Sequence, residues 1–466
     1  MSGSSTIHDG VAVHLVGISG IGMSALARIF LQRGHRVSGS SDRRTVLTEA
    51  LEREGARVQI GHAAENVGDA AVVIVSSAIA GDNPELVEAR RRGLPVAKRG
   101  AVLAELMNAR RGIAVAGTHG KTTTTTMLAT VLEAGGLAPS YAIGGERIDT
   151  QTNARHCDTP WFVAESDESD GSFVAMRPEI AVLTNIENDH VSGDDELAAL
   201  VRAFEGFLAT LPADGLAVIG VDEPTAASLV DRPRAARTLT YGVSGGHLVA
   251  RNVREAEFGS RFDVEFRGLA LGSISLRVPG TINILDALPS VLVGTELGIP
   301  FATIAGALGE FRGVRRRFEI LARTPRMIVV DDYAHHPTAV AATIAAARHA
   351  FAGPIVAAFQ PHRYTRTHYL APGFAQALRG ADQVVLTEVY AASELPIAGA
   401  DAQSIGEPLR AAGTDVAYVN VGELAEYLAS HAPEGSLVLM LGAGSITAAA
   451  AQLAQRVRDR AQAAVS

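Results

Sequence analysis

One short segment of the sequence combines glycine, lysine and hydroxyl side chains in an order suited to holding phosphate. An apolar run at residues 113–116 predicts a strand, a helix is predicted at 127–132, and Gly-Thr-His-Gly-Lys-Thr-Thr fills positions 117–123 between them. Glycines let backbone N–H groups close around phosphate oxygens, and a helix N-terminus adds partial positive charge. Lys121 would reach the terminal phosphates and Thr122 could ligate Mg²⁺. The loop therefore predicts a nucleotide phosphate site.

The spacing of this loop differs from that of the ordinary P-loop. Four residues usually separate the two glycines, whereas only Thr118 and His119 separate Gly117 from Gly120. A turn that merely caps a helix is the alternative. We favour phosphate binding, because capping explains neither Lys121 nor the run of threonines.

Ligands for a metal follow two further predicted strands. Glu165 begins an acidic run after one of them, and His190 ends a polar run after the next. Mg²⁺ prefers hard oxygen ligands and keeps several waters, so one carboxylate beside the phosphate loop is enough. An isolated acidic run is more often a solvated loop, but the position of these residues at strand ends near Lys121 favours metal binding.

A second glycine loop near the amino terminus follows a predicted strand and precedes a predicted helix. Its glycines are Gly17, Gly20 and Gly22, and Asp42 follows about 20 residues later, as in dinucleotide-binding folds. The spacing is G-x-x-G-x-G, not G-x-G-x-x-G, and tight strand-to-helix packing explains it about equally well. Binding of a nucleotide diphosphate is one interpretation, while hydride transfer has no independent support.

Two polar clusters follow predicted strands in the last third of the chain. The first reads Asp-Asp-Tyr-Ala-His-His-Pro over 331–337, and the second reads Gln-Pro-His-Arg-Tyr-Thr-Arg over 360–366. Arginines suit bidentate capture of carboxylate or phosphate. The histidines and aspartates could suggest zinc, but no second cluster with metal-ligand spacing supports it. The arginines therefore predict a site for an anionic group.

The periodicity of the chain predicts the scaffold that positions these motifs. Short apolar strands alternate with helices over residues 1–108 and again from about 321, which indicates parallel sheets covered by helices. Between about 215 and 279 the alternation has period two, which indicates antiparallel β-structure. In open α/β sheets ligands bind at the carboxyl ends of the strands, which is where the motifs fall.

Composition excludes several classes of protein. The 466 residues include 41 Lys and Arg and 50 Asp and Glu, a formal net charge of −9, which argues against a polybasic binder of nucleic acid or membrane surfaces. No apolar run approaches the ~20 residues of a membrane span, and the amino terminus lacks the stages of a signal peptide. The single cysteine permits no intramolecular disulfide. We expect a cytoplasmic protein that binds no nucleic acid and does not insert into membranes.

Taken together and in order, the motifs closely resemble those of the Mur ligases. The resemblance extends from the amino-terminal glycine loop to Gly-Ala-Gly-Ser at 442–445, and several motifs together are far more specific than any one. It implies an α/β fold of three domains: a Rossmann-like domain for the UDP-substrate (1–108), a P-loop-like central ATPase domain with an added antiparallel β portion (109–320), and a Rossmann-like domain for the amino acid (321–466).

The resemblance implies a two-step ligation. A substrate carboxylate attacks the γ-phosphate of ATP, giving an acyl phosphate and ADP, and an amine then displaces phosphate. Within the family the motifs look most like those of the ligase that joins L-alanine to the lactyl carboxylate of UDP-N-acetylmuramate. The expected cofactors are ATP and Mg²⁺, with two ions bound and Mn²⁺ as an alternative, and the expected state is a monomer or a homodimer.

The resemblance also assigns roles to single residues. The expected catalytic residues are Lys121, Asp332, His335, Arg363 and Arg366. The expected ATP contacts are Gly117, Thr118, His119, Gly120, Lys121, Thr122, Thr123, Asn283, Arg316 and Asp332. The expected UDP-substrate contacts are Gly17, Ser19, Gly20, Gly22, Asp42, His362 and Arg366. The expected amino-acid contacts are Tyr333, His335, Arg363 and Arg366, and the expected metal ligands are Thr122, Glu165 and His190.

This chain departs from the family pattern at a few positions. Mur ligases usually carry an H-N-x-x-N stretch that contacts the adenine end of ATP, whereas this chain has Ile282, Asn283 and Asp286 in the three specified places. An ionised aspartate only accepts hydrogen bonds and cannot reproduce the donors of an amide. The change therefore puts the adenine contacts in question. Ser19 also stands where a glycine is common.

Three alternatives stay open from the sequence. A recycling ligase would attach a preformed tripeptide to the same muramyl nucleotide, although the compact motif at 360–366 favours a free amino acid. A nicotinamide-dependent oxidoreductase would use the Gly17 loop but leave Lys121 and Glu165 without a role. A non-enzymatic nucleotide-binding relative would fit Ile282 and Asp286, although the residues nearest the phosphates and metal are intact.

Overall fold

The computed structural model describes residues 10–167, 172–187, 194–232 and 237–463. The described residues form two compact units. The first unit draws on Met1–Ile186, Val201–Val249 and Asp286–Ala307, and the second on Glu187–Leu200, Ala250–Leu285 and Leu308–Ser466. Among the described helices, none combines the length and apolar character that crossing a membrane requires.

The amino-terminal part of the first unit is a parallel sheet with helices. Its strands are β1 Ala12–Val16, β2 Arg36–Ser41, β3 Arg57–Ile60, β4 Val72–Val75 and β5 Val96–Lys98. Its helices are α1 Ile21–Gln32, α2 Val46–Arg53, α3 Pro84–Arg91, α4 Arg99–Asn108 and the 3₁₀ helix Ala64–Val67. The strand order is β3-β2-β1-β4-β5, with every pair parallel. The loops after β1 and β4 therefore leave from the point where the order reverses, which is where ligands bind in such sheets.

Seven strands of a second, larger sheet also lie in the first unit. Its strands are β6 Arg111–Ala116, β7 Ser140–Ala142, β8 Ala154–Arg155, β9 Trp161–Glu165, β10 Ile180–Leu183, β11 Leu216–Gly220 and β12 Arg237–Gly242. Its helices are α5 Lys121–Ala134, the 3₁₀ helix Ser172–Ala175, α6 Asp194–Leu208, which begins in the second unit, and α7 Pro224–Ala227. These seven strands belong to a ten-stranded sheet, in which they follow the order β12-β11-β10-β6-β9-β7-β8, and among them only β8 is antiparallel to its neighbour. β6, which precedes the phosphate loop, therefore lies between the two strands that precede the candidate metal ligands.

The two sheets of the first unit are connected by a buried arginine. Arg28 of α1 is only 1% exposed. Its guanidinium donates to Asn153 Oδ1 at 2.6 Å, to Glu146 at 3.2 Å and to Glu54 at 3.0 Å. Glu54 follows α2, whereas Glu146 and Asn153 lie between β7 and β8 of the larger sheet. A buried guanidinium needs such partners, because an unpaired buried charge is strongly destabilising.

The second unit contains a hairpin and a third sheet. Strand β13 Leu248–Ala256 starts in the first unit and continues here, followed by β14 Gly259–Phe266 and β15 Leu269–Leu276, and these three strands complete the ten-stranded sheet. Helices α8 Thr281–Glu296 and α9 Phe301–Glu310 lie mostly in the first unit, which includes Asp286–Ala307. The third sheet comprises β16 Glu319–Arg323, β17 Met327–Asp332, β18 Ile355–Phe359, β19 Gln383–Leu386, β20 Asp415–Tyr418 and β21 Ser436–Leu441. Its helices are α10 Pro337–Ala350, α11 Tyr364–Leu378, α12 Ala402–Ala411, α13 Leu424–His431 and α14 Ile446–Ala463.

The third sheet has apolar cores on both of its faces. Its order is β16-β17-β21-β18-β19-β20, and only β16 is antiparallel. Alternate residues of β17 enter different clusters: Val330 packs in the cluster that includes Phe374 of α11, and Val329 packs in the cluster that includes Leu453 of α14. Burial on both faces explains why these strands are continuous apolar runs.

The predicted α/β fold class with parallel sheets is confirmed, but one pairing prediction is wrong. Antiparallel structure was expected from about residue 215, yet β11 and β12 pair in parallel. β11 is buried along its whole length, which is typical of a strand inside a parallel sheet. The antiparallel expectation holds for β14 and β15, whose alternating pattern fits a sheet with one exposed face. The domain boundaries at 108 and 320 stay a prediction.

Candidate active site

The phosphate loop follows β6 and ends where α5 begins. Gly117 has φ 134° and Gly120, the N-cap of α5, has φ 81°, conformations that side chains other than glycine adopt poorly. A Cβ at Gly117 would overlap the Thr184 hydroxyl, and one at Gly120 would overlap the Asp286 carboxylate. Both glycines are therefore required by the backbone conformation and by the space around them. The loop brings the start of α5 to the carboxyl end of β6.

Residues after β10 hold the loop in place. Thr118 N–H donates to the Asn185 carbonyl at 3.0 Å, and His119 N–H donates to Asn185 Oδ1 at 2.8 Å. The Asn185 amide and the Thr184 hydroxyl donate back to the His119 carbonyl at 3.0 and 2.7 Å. Asn185 therefore acts as a support for the loop, a role that the sequence did not assign to it.

The side chains of the loop place a cation and hydroxyl groups at the start of α5. Lys121 Nζ donates to the Gly117 and Thr118 carbonyls at 2.5 and 3.3 Å, so its ammonium group lies over the loop. Thr123 is buried within α5. The structure therefore places the lysine ammonium beside the loop, and phosphate binding there stays a prediction.

The carboxylate predicted as a metal ligand lies beside the loop. Thr122 Oγ1 is 3.1 and 3.0 Å from the two Glu165 oxygens, and the Gly144 N–H donates to Glu165 Oε2 at 2.7 Å. A hydroxyl and a carboxylate at one point form a set of hard oxygen donors, which fits Mg²⁺. His190 lies outside the described residues, so its role as a ligand stays a prediction.

Asp286 lies against the helix that carries the phosphate loop. The Thr124 hydroxyl donates to Asp286 Oδ1 at 3.3 Å, and the aspartate is only 6% exposed. Burial, followed by the charges of Asp286 and Asp222, raises the pKa of Tyr241 well above its ordinary value. Asn283, also on α8, donates its amide to the Pro279 carbonyl at 2.7 Å. The sequence motif gave no sign of the contact between Asp286 and α5.

The amino-terminal glycine loop is attached to the end of β2. The N–H groups of Gly17 and Ile18 donate to the Ser40 carbonyl at 3.0 and 2.8 Å, and Gly17 has φ 82°. The Ser41 hydroxyl donates to Ser19 Oγ at 2.7 Å. The residues predicted to contact the UDP-substrate in this region therefore lie around one edge of the sheet. These residues are Gly17, Ser19, Gly20, Gly22 and Asp42.

In the second unit, two buried aspartates end β17. Asp332 accepts the N–H groups of Phe318 and Ala334, both at 2.7 Å, and burial raises its pKa despite Arg317 nearby. Burial also raises the pKa of Asp331 to about 6, although the Thr447 hydroxyl donates to it at 2.6 Å. Both carboxylates therefore hold protons more readily than exposed aspartates do.

Aromatic and cationic side chains collect around the predicted amino-acid residues. The Arg316 guanidinium lies 4.8 Å from the Tyr333 ring and donates to the Gly442 carbonyl at 2.7 Å. His335 Nδ1 is 2.8 Å from the Tyr333 carbonyl, and its ring is 6.0 Å from that of His362. Arg366 Nη1 is 3.3 Å from His362 Nδ1. Arg363 is the N-cap of α11 with φ 72°, one turn before Arg366.

Tyr390 belongs to this group of residues and was missed by sequence reasoning. Its ring stacks on His362 with the ring centres 5.5 Å apart and the planes at 11°. Tyr390 N–H donates to the Pro361 carbonyl, and Arg363 N–H donates to the Tyr390 carbonyl, both at 2.8 Å. A side chain at Gly444 would crowd Tyr390. A polar aromatic residue soon after β19 was the only available signal.

A glycine-rich loop with an adjacent lysine and carboxylate, at the end of a strand in a parallel sheet covered by helices, is typical of multidomain enzymes that handle phosphorylated substrates. Family models described as "Mur ligase family, catalytic domain", "Mur ligase middle domain" and "Mur ligase, glutamate ligase domain" match residues 12–111, 115–294 and 316–444. The chain belongs to the Mur ligase family.

Relatives and solved structures agree with this assignment. A UDP-N-acetylmuramate–L-alanine ligase of Geotalea daltonii is 42% identical over 96% of this chain and 98% of its own length. One of Pelobacter propionicus is 45% identical over 93% and 95%. The crystal structure of a UDP-N-acetylmuramate-alanine ligase from Thermotoga maritima matches 97% of this chain and 100% of its own, with 31% identity and a TM-score of 0.84. A murein peptide ligase from Psychrobacter arcticus shares the fold, with 24% identity, coverage of 95% and 98%, and a TM-score of 0.72.

Proposed function

We propose that this chain joins L-alanine to the lactyl carboxylate of UDP-N-acetylmuramate at the expense of ATP, as a cytoplasmic step of peptidoglycan precursor synthesis. The observation that carries the proposal is the match to L-alanine ligases along nearly the whole chain, at 42 and 45% identity. The geometry of the phosphate loop and of Glu165 supports it, because both fit a triphosphate with a metal ion.

The phosphate loop would bind ATP for the first step. Two anions must meet when the substrate carboxylate attacks the γ-phosphate, so positive charge has to offset their repulsion and the charge of the transferring group. Lys121 supplies that charge, together with the N–H groups at the start of α5. Arg316 and Asp332 of the second unit are proposed as further contacts for the nucleotide.

Thr122 and Glu165 are proposed to hold one Mg²⁺, and His190 to hold a second ion. A bound Mg²⁺ neutralises negative charge on the phosphates. The protein's part is to keep the two oxygen donors together, and the Gly144 N–H does so by fixing the Glu165 carboxylate.

The second step requires an amine in its neutral form and a carboxylate held in place. Arg363 and Arg366 are proposed to bind the carboxylate of L-alanine, because guanidinium groups pair with carboxylates in two-point contacts. The Tyr333 carbonyl holds the His335 ring in position. We propose that His335, or a water beside it, accepts the proton as the amine attacks the acyl carbon and phosphate leaves. His362 and Arg366 are proposed to contact the muramyl part.

Release of ADP tests the proposal directly. The purified full chain is incubated with ATP, Mg²⁺ and UDP-N-acetylmuramate, together with L-alanine, glycine, L-serine or the preformed tripeptide. We expect L-alanine to give the highest kcat/KM and Lys121→Ala to abolish turnover. Turnover with the tripeptide alone would instead identify a recycling ligase, and ATP binding without turnover for any amine would indicate a non-enzymatic relative.

A further inference from the structure

A short segment between β7 and β9 contacts both of the helices that follow glycine loops in the first unit. Residues 144–156, here named the bridge segment, run from just after β7 to just after β8. Helix α1 follows the Gly17 loop, and helix α5 follows the phosphate loop. The contacts of the bridge segment therefore reach the supports of two different candidate binding loops.

The bridge segment holds α1 at its first residue, in its middle and at its last residue. The Asn153 amide donates to the carbonyl of Ile21, the first residue of α1, at 2.7 Å. In the middle of the helix, the Arg28 guanidinium donates to Asn153 Oδ1 at 2.6 Å. At its end, Gln32 Oε1 accepts the His156 N–H at 2.5 Å. Contacts along its whole length therefore fix the position of α1 against the bridge segment.

Two arginines of the bridge segment hold the other helix, α5, through one carboxylate. Glu133 lies in the last turn of α5. Arg147 Nη1 donates to Glu133 Oε2 at 2.7 Å, and Arg155 Nη1 donates to Glu133 Oε1 at 3.0 Å. The Arg147 side chain is only 4% exposed, and it also donates to both Asp149 oxygens, at 3.1 and 2.8 Å. Glu133 thus joins the helix that carries the phosphate loop to the same segment that holds α1.

The connection between the two helices is polar. A cavity of about 570 Å³ opens where α1, α5 and the bridge segment meet, and its lining includes Arg28, Glu54, Glu133 and Arg155. Well-packed apolar residues would often stabilise a fold as well as buried ion pairs do. An arginine–carboxylate pair, however, fixes direction as well as distance. A charged connection at this place therefore suits a positioning role better than a purely stabilising one.

We propose that the bridge segment sets the placement of the Gly17 loop relative to the phosphate loop, with Arg28 and Glu133 as positioning residues. The inference rests on the proposed function, in which UDP-N-acetylmuramate binds at the first loop and ATP at the second. The lactyl carboxylate must then reach the γ-phosphate, and a misplacement of about 1 Å costs on the order of a hundredfold in rate. Loss of one contact therefore slows ligation, while each loop still binds its own substrate.

Two single variants of the full chain test the two ends of the connection. Arg28→Met keeps an apolar stem and removes the guanidinium, and Glu133→Gln keeps the shape of the side chain and removes its charge. We expect each to lower kcat for ADP release about tenfold, because one lost contact shifts a loop by a fraction of the ~1 Å considered above. Calorimetry with each substrate alone should give dissociation constants for ATP and UDP-N-acetylmuramate within twofold of wild type.

Matched controls come from an ion pair of the first unit that lies outside the bridge segment. Arg111, the first residue of β6, donates to the two Glu179 oxygens at 2.8 and 2.5 Å. Arg111→Met and Glu179→Gln remove the same chemical groups as the two test variants. They should keep kcat within twofold of wild type, when kcat is referred to the concentration of protein that binds ATP in calorimetry.

The double variant separates positioning from simple destabilisation. Arg28 and Glu133 lie at the two ends of one connection, so breaking either end releases it. The double variant should therefore have a kcat within twofold of that of the slower single variant. Two independent destabilising effects would instead multiply.

A kcat within twofold of wild type in Glu133→Gln, or a double variant whose loss is the product of the two single losses, would overturn the inference. Should Arg28→Met fail to fold, Glu133→Gln still decides, because its side chain keeps its shape at a position that is 21% exposed. A raised KM for one substrate with unchanged kcat would also overturn it, since the contacts would then shape one loop alone. The assay uses the amine that the wild type accepts best, so preference for an amine other than L-alanine would overturn the proposed function alone.

Discussion

Two glycines at opposite ends of α5 allow a matched test of the phosphate loop. Gly120 precedes the helix with φ 81°, and Gly136 follows it with φ 79°. An alanine in this left-handed region costs about 1–2 kcal/mol. A Cβ at Gly136 meets no atom within 4 Å, whereas one at Gly120 would overlap the Asp286 carboxylate. The two substitutions therefore share the backbone strain and differ in the clash.

The expected effects follow from that difference. For Gly136→Ala we expect a loss of roughly 2–8 °C in unfolding temperature, from the shared strain and the usual shift per kcal/mol for a large domain, with ATP kinetics unchanged. Gly120→Ala must also displace Asp286 or the start of α5. Because a shift of about 1 Å in a reacting group costs on the order of a hundredfold in rate, we expect kcat/KM for ATP to fall by about that factor.

The ADP-release assay and thermal unfolding, run on both variants, supply the measurement. Asp286→Ala in the Gly120→Ala background makes room for the new methyl group, so it should restore kcat/KM at least about tenfold, as expected for residues in contact. If Gly120→Ala keeps kcat/KM within threefold of Gly136→Ala, close contact with Asp286 does not shape the loop and the reasoning is refuted.

Three further predictions concern other parts of the site. Glu165→Gln should raise the Mg²⁺ concentration for half-maximal activity about tenfold, because the amide lacks the negative charge. The control Glu179→Gln, at the surface, should leave that concentration unchanged. If activity depends on Mg²⁺ concentration in the same way in both variants, the prediction is contradicted. Burial raises the pKa of Asp331 from 3.8 to about 6, so between these pH values the carboxyl group is protonated in the folded protein and ionised in the unfolded chain. The free energy of unfolding therefore falls by up to roughly 3 kcal/mol as the pH rises from 3.8 through 6. Asp331→Asn lacks this titration, so its stability relative to wild type should increase between pH 4 and 6 and stay constant at higher pH. If the difference in unfolding temperature between the variant and wild type is the same at every pH, the raised pKa of Asp331 is refuted as the cause. Tyr390→Phe should keep KM for UDP-N-acetylmuramate within twofold, and Tyr390→Ala should raise it about tenfold by freeing the His362 ring; an unchanged KM for UDP-N-acetylmuramate in Tyr390→Ala would show that the stack is not needed.

Much of the fold and of the phosphate site could be predicted because it is encoded locally. Apolar runs followed by glycine or polar residues mark parallel strands, and side chains at their carboxyl ends meet at one edge. That rule places Lys121, Thr122 and Glu165 together, as the structure has them, because β6 and β9 are neighbours. The position of these motifs at the carboxyl edge of the sheet could therefore be predicted without knowing which distant parts of the chain are in contact.

The contacts that could not be predicted join residues far apart in sequence with no local pattern. Asp286 contacts Thr124, which lies 162 positions away in the sequence. Tyr390 stacks on His362, and neither segment has a sequence pattern that predicts this contact. The prediction that β11 and β12 pair in antiparallel fashion was wrong for a related reason. Alternation describes which faces of a strand are buried, not which neighbour or direction the strand will take.

The buried Arg28 has a consequence for how this ligase could be recombined with others. A fragment that ends near residue 108 would keep Glu54 but lose Glu146 and Asn153, and so would carry a guanidinium without two of its partners. We expect such a fragment to aggregate when expressed alone. A chimaera that imports the amino-terminal segment from another ligase would need to import residues 146–153 as well, so the unit of exchange is larger than the sequence motifs suggest.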